Sequence, residues 1–306
     1  MRRTFIIFAV FAALWIVGCQ EQLPVELTAD QSAAALEVKV LPAIDSTLIV
    51  EASVDTSGIT QSEEQTYPAT FLVNGVKSDL GTSRTSFSYS RILINDLKSG
   101  ITNIEGKLIG YNAIDVGLAK VNSVALPKLA RPLRTYTSFL PGYNAGSAYT
   151  LVDKDDAPIA DFTYAPRQHY RFVAAGRGSV SSFELGIDSP EEVTIVEPRA
   201  GSVVFRDKDL QIHWDGKAGA SFRILVSSFD PESNVAVRPL VQVDVKEGSN
   251  SITIPSMLLK GLRANSDGRY LFSFISSNRN VVRIAGYKEN VLVQASSIHN
   301  VLLWLR

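Results

Sequence analysis

Alternation with a period of two governs most of the chain beyond residue 35. Leu36, Val38 and Val40 fall on one side with Glu37 and Lys39 on the other, and Leu48, Val50, Ala52 and Val54 repeat the pattern against Glu51, Ser53 and Asp55. This spacing predicts strands with one wet face. Asn74-Gly75, between Phe71-Leu72-Val73 and Val76-Lys77, predicts a tight hairpin, because a type I′ turn needs positive φ at both central residues. Further strands are expected at Ser86–Ile94, Ile104–Tyr111 and Val116–Leu126, with Pro127 and Pro132 closing the block. No sustained 3.6-residue period interrupts them, which favours an all-β sandwich over an α/β fold.

The last third alternates more cleanly. Val193–Val196 and Ser202–Phe205 flank Glu197-Pro198-Arg199-Ala200-Gly201, and Asp209–Asp215 sets Leu210, Ile212 and Trp214 against Gln211, His213 and Asp215. Val241, Val243 and Val245, then Ile252 with Ile254, then Tyr270, Phe272 and Phe274 form further inward sets, and Ser256–Leu262 has room for one helical turn. Trp214 on the second of these strands, and Leu262 ahead of Tyr270, resemble the core tryptophan and tyrosine corner of fibronectin type III or immunoglobulin-like domains over about Pro198–Ile284. That resemblance implies a two-sheet sandwich in which the tyrosine hydroxyl bonds back to upstream backbone. Val291–Leu305 is more strand than the family's last position needs, and the surplus is expected to pair with the middle of the chain.

Within that middle, residues 129–192, the 37 residues from Tyr136 to Phe172 gather Tyr136, Phe139, Tyr143, Tyr149, Phe162, Tyr164, Tyr170 and Phe172, eight of the chain's 27 aromatics. Phe162 with Tyr164, and Tyr170 with Phe172, alternate as core-facing strand residues do. Tyr136, Phe139, Tyr143 and Tyr149 are the candidates for a stacking platform that takes a sugar or another flat ligand. Asp153, Asp155 and Asp156 are hard oxygen ligands of the kind calcium takes, although Asp-Lys-Asp-Asp-Ala-Pro lacks the glycine and distal glutamate of an EF-hand loop. Surface turns collect aspartates for local hydrogen-bonding reasons as well.

The first nineteen residues carry the most specific pattern. Arg2 and Arg3 precede an uncharged run from Thr4 to Gly18, which ends in Ile16-Val17-Gly18-Cys19. The run is shorter than the roughly 20 apolar residues of a membrane span, and its cationic start and small final residue fit a secretory signal. Ile16-Val17-Gly18-Cys19 resembles the lipobox of bacterial lipoproteins. The resemblance implies cleavage after Gly18, a diacylglycerol on the sulfur of Cys19, and a mature chain held on a membrane by that lipid. Gln20, where enteric relatives use Asp for inner-membrane retention, points to the outer membrane rather than the inner.

These readings divide the chain into a lipoprotein signal peptide (1–18), a polar tether (19–35), a β-sandwich domain (36–128), a β-rich middle segment (129–192) and a fibronectin III or immunoglobulin-like β-sandwich domain (193–306). Without Arg2 and Arg3 the 30 Lys and Arg fall to 28 against 31 Asp and Glu, so no basic excess invites a nucleic acid. The single cysteine, assigned to lipid, leaves none for a disulfide. Three dispersed histidines, the lack of Gly-x-Ser-x-Gly and the lack of a phosphate-binding loop nominate no catalytic or zinc site. The expectation is an all-β protein of tandem sandwiches in the bacterial cell envelope, without catalysis or cofactor beyond the lipid, that binds a protein or glycan partner. A structural accessory subunit of an envelope assembly is the alternative, with a hydrolase behind it.

Overall fold

The computed structural model of the chain describes residues 36–41, 49–51, 67–102, 105–106, 108–135, 139–151, 161–229, 238–246, 248–262 and 268–306. These residues are nearly all β. In chain order they form β1 (Leu36–Val40), β2 (Ile49–Glu51), β3 (Ala69–Asp79), β4 (Arg84–Thr102), β5 (Leu108–Ala113), β6 (Ala119–Val121), β7 (Val124–Leu126), β8 (Lys128–Thr135), β9 (Phe139–Thr150) and β10 (His169–Ala174). There follow β11 (Phe183–Asp188), β12 (Thr194–Glu197), β13 (Val203–Val204), β14 (Leu210–Asp215), β15 (Ser221–Ser228), β16 (Arg238–Val245), β17 (Ser251–Ile254), the short helix α1 (Ser256–Gly261), β18 (Arg269–Val282) and β19 (Val291–Leu305).

Twelve strands make one large sheet in the order β1-β16-β15-β18-β19-β3-β4-β9-β8-β2, with β13 beside β19 and β5 beside β4. Two smaller sheets, β12-β14-β17 and β11-β10-β6-β7, pack on it as covers, each over its own apolar core. Side chains on a strand alternate between faces, so residues of equal parity on β19 share one. Val291, Val293 and Ala295 enter the core under β11-β10-β6-β7, while Val301, Leu303 and Leu305 enter the core under β12-β14-β17. Both covers therefore stand on the same face of the large sheet, one over each end of β19.

The other face of β19 is buried too, at Leu292, Gln294, Ser296, Ile298, Asn300 and Leu302. A strand covered on both sides loses its alternation and reads as apolar runs, as Val291-Leu292-Val293 and Val301-Leu302-Leu303-Trp304-Leu305 do at the two ends of β19. β19 lies antiparallel to β18 from Val291↔Val282 to Trp304↔Arg269, and parallel to β3 from Val291↔Ala69 to Val301↔Asp79. Its surplus length thus pairs with the first strand block and not, as the sequence led us to expect, with the middle of the chain.

Asn74-Gly75 forms no turn. β3 runs straight through it, Asn74 is fully buried, and a Cβ on Gly75 would lie 2.2 Å from Cδ1 of Tyr164. The glycine makes room for a ring that lies on the sheet, and burial of β3 on both faces outweighs local turn propensity. The β3–β4 reversal falls at Leu80–Ser83, where the Leu80 N–H donates to the Ser83 carbonyl at 3.0 Å and Gly81 takes φ +83°. Val116–Leu126 is likewise not one strand. Asn122 adopts φ 50° and folds it into the β6–β7 hairpin, its carboxamide oxygen accepting the Arg171 N–H at 2.9 Å.

In the C-terminal core Leu210, Ile212 and Trp214 of β14 are buried as their alternation predicts, and the Trp214 ring packs on Phe222 at 4.7 Å. Helix α1 adds buried Leu259 to this core, and the Asp209 carboxylate accepts the Ser256 N–H at 2.7 Å at the start of the helix. Arg206 links the Tyr270 hydroxyl to upstream backbone, with one nitrogen donating to that hydroxyl at 2.7 Å and another to the Leu262 carbonyl at 2.9 Å. Each fully buried aromatic here, such as Phe272 or Phe274, contributes about 1.5–3 kcal/mol by leaving water.

Candidate functional site

Of the site residues singled out from the sequence, the structure describes the side chain of Tyr149 alone. Cys19, Tyr136, Asp153, Asp155 and Asp156 lie outside the described residues, and Phe139 and Tyr143 lie on the first part of β9, of which the backbone alone is described. Tyr149 is a correction to the platform: it is 3% exposed, part of the core under β11-β10-β6-β7, and so offers no ring to a ligand. Tyr170 and Phe172 are core residues on β10, while Phe162 and Tyr164 precede it outside any strand and are half-buried against the same core.

Tyr149 instead belongs to a charged knot that the sequence did not reveal. Its hydroxyl donates to Asp115 Oδ1 at 2.5 Å, Lys128 Nζ and Arg177 Nη1 donate to Oδ2 at 2.6 and 2.8 Å, and the Gly117 N–H donates to Oδ1 at 2.9 Å. Lys128, then Tyr149 and the Gly117 amide, hold the carboxyl of Asp115 well below the usual carboxylate range. Burial, reinforced by the hydrogen bond to Asp115, pushes the Tyr149 hydroxyl up to about 12. An anion met by four donors is a fastener: it ties the β5–β6 turn to β8, β9 and the Arg177 turn. Asp-Val-Gly was the available signal, but its partners are up to 62 residues away.

Between the two cores, the face of β19 that carries both covers turns polar at Ser297 and His299. His299 Nδ1 accepts the Ile195 N–H at 2.9 Å, which fixes the neutral tautomer with its proton on Nε2 and fastens β12 to the large sheet. Burial lowers the His299 pKa below its ordinary value, with Asp79, Lys77, Glu192 and Arg84 acting on it in opposing directions. Lys77, the register partner of His299, forms an ion pair with Glu192 just before β12. Asn278 completes the seam: its nitrogen donates to the Asp188 carbonyl at the end of β11 at 2.8 Å, and its oxygen accepts the N–H of Ala220, in the turn between β14 and β15, at 3.1 Å.

The surface offers a different feature. After Asn95 the ladder of β4 shifts register and continues as a two-stranded extension with β5, pairing Gly100↔Tyr111, Ile101↔Gly110 and Thr102↔Leu108. Leu97 and Leu108 on this extension are 41% and 49% exposed and lie outside both core clusters, with Leu108 lying close over Gly100. Asn95 holds its base, accepting from Arg131 at 3.1 Å on its side chain and from the Tyr287 hydroxyl at 2.9 Å on its carbonyl.

Among the described residues no group of three or more His, Cys, Asp and Glu could hold a metal ion, and no helix is long and apolar enough to cross a membrane. Comparison with protein-family models, with curated proteins and with solved structures gives no match, so a functional reading stands on the chemistry of this chain's own residues.

Proposed function

We propose that this chain is a non-catalytic, lipid-anchored protein of the bacterial envelope, outer membrane rather than inner, that binds a protein or glycan partner. The anchor reading rests on Ile16-Val17-Gly18-Cys19 behind a cationic, apolar leader. The division of the C-terminal strands into β12-β14-β17 against β16-β15-β18-β19 supports the likeness to fibronectin-type sandwiches. The observation that carries the binding reading is the β4–β5 extension, which holds Leu97 and Leu108 in water on a base tied down by Asn95, Arg131 and Tyr287. Apolar side chains exposed outside a core are what a partner buries at the centre of an interface.

A photo-crosslinking residue in place of Leu97, in the full chain in its native envelope, tests this. One discrete adduct, lost when Leu108→Ser is added and lost when Cys19→Ser releases the chain from the membrane, is the expected result. Absence of any discrete adduct contradicts the binding reading, and an adduct indifferent to Cys19→Ser contradicts the anchor. The continuity of the large sheet through both cores also favours a rigid spacer, and isolation in a fixed-stoichiometry membrane complex would select that structural role.

A further inference from the structure

Strand β1 ends the large sheet on one side, and among the described residues β16 alone pairs with it. An open edge presents a row of unpaired N–H and C=O groups that another strand can complete. Two features of β1 say which strand that is. Val40 shares the core-side parity of Val38, which packs against the C-terminal core, yet Val40 is 75% exposed. On the opposite face Glu37 and Lys39 stand symmetrically about Val38.

We propose that β1 joins two copies of this chain, edge to edge and antiparallel, about a two-fold axis through Val38. That register sets Glu37 opposite Lys39 of the partner subunit, Lys39 opposite Glu37 of the partner subunit, and Val38 opposite its own counterpart. It also brings Val40 against residue 36 of the second copy, on the face where the C-terminal core lies, and so covers the exposed valine. The neighbouring antiparallel registers, centred on Glu37 or on Lys39, place like charges directly opposite each other, which opposes pairing. A lysine on an edge ordinarily discourages association; here it comes with a glutamate at the spacing that makes the strand complementary to itself, as a two-fold interface requires.

Within one chain Lys39 Nζ already meets Glu37 Oε1 at 3.1 Å and Asp244 Oδ2 at 3.4 Å. The Lys39 and Glu37 side chains are 52% and 68% exposed, so this pair is solvated and exchanges readily for the one across the axis. Asp244 stays held by Arg223 Nε at 2.9 Å and by Gln242 Nε2 at 2.7 Å, whichever partner Lys39 takes.

The test is sedimentation equilibrium of the full chain in detergent over a range of concentrations, alone and as Glu37→Lys and Lys39→Glu variants. The wild type is expected to reach the mass of two chains at the upper concentrations, and each variant to stay at the mass of one while keeping the parent's circular dichroism. Mixing the two variants in equal amounts is expected to restore the two-chain mass, because each then offers the charges the other needs. A wild type that stays at one-chain mass throughout, a dimer untouched by either substitution, or a mixture that fails to associate would each overturn the proposal.

Discussion

Over one end of β19 the cover β12-β14-β17 is held by apolar side chains that alternate along each strand, with Leu210, Ile212, Trp214, Ile252 and Ile254 all pointing into the core. Over the other end the cover β11-β10-β6-β7 is also apolar beneath, but it is closed at its margin by contacts between residues far apart in the chain: the Asp115 knot and the Tyr164 ring on Gly75. The first arrangement is written in periodicity, whereas the second depends on which distant segments happen to meet. The two cores should therefore respond alike to loss of apolar volume and differently to loss of charge.

The largest effects are expected where the cores are alike. Phe272→Ala in one and Phe172→Ala in the other each empty a fully buried site, and each should cost about 3–5 kcal/mol in chemical denaturation. Because β19 belongs to both cores, each variant should lower a single shared transition. A curve that splits into two steps would show the cores melting separately.

Charge separates them next. Asp115→Asn should cost about 2–3 kcal/mol, because a charge-assisted hydrogen-bond hub on a partly buried carboxylate is lost. The Asp115 carboxyl is lowered from its ordinary 3.8, so its contribution is complete above that pH and is lost as acid carries the solution down toward the folded-state value. The wild type should accordingly show a steeper acid limb than the asparagine variant in urea melts run from neutral to low pH. On the alkaline side the raised Tyr149 contributes stability below its ordinary 10.0 that is lost as pH rises through about 12.

Gly75→Ala sharpens the comparison by placing a methyl where Tyr164 lies, and overpacking of this kind costs about 1–3 kcal/mol. In a double-mutant cycle Tyr164→Ala should recover most of that loss. Strictly additive effects would mean that the ring does not sit on the glycine. The smallest effect belongs to His299. Its pKa is depressed in the folded chain, so stability is full above its ordinary 6.5 and falls as pH drops below that. His299→Asn should flatten this part of the profile, leaving the Asp115 limb unchanged.

These contrasts also account for what could be read from the residues alone. The all-β class and the inward sets of β14, β17 and β18 were legible, because half-buried strands impose a period of two on sequence. Asn74-Gly75 misled because a local turn signal says nothing about a Tyr164 ring about 90 residues later. β19 was recognised as a strand but matched to the wrong neighbour, since burial on both faces erases the alternation that would have fixed its register. Of the candidate site, Tyr149 was misassigned because aromatic composition does not distinguish a core ring from a platform. Leu97 and Leu108 passed unnoticed because their exposure is a property of the assembled sheet, whereas Glu37 and Lys39 of β1 were legible as a wet face but not as part of a sheet edge.

The most direct test of the shared sheet is native-state hydrogen exchange along β19. If one strand serves both cores, the amides of Val293 and Ala295 and those of Val301 and Leu303 should exchange with the same opening free energy, equal to that of global unfolding. Two distinct values, one for each half of the strand, would contradict the account.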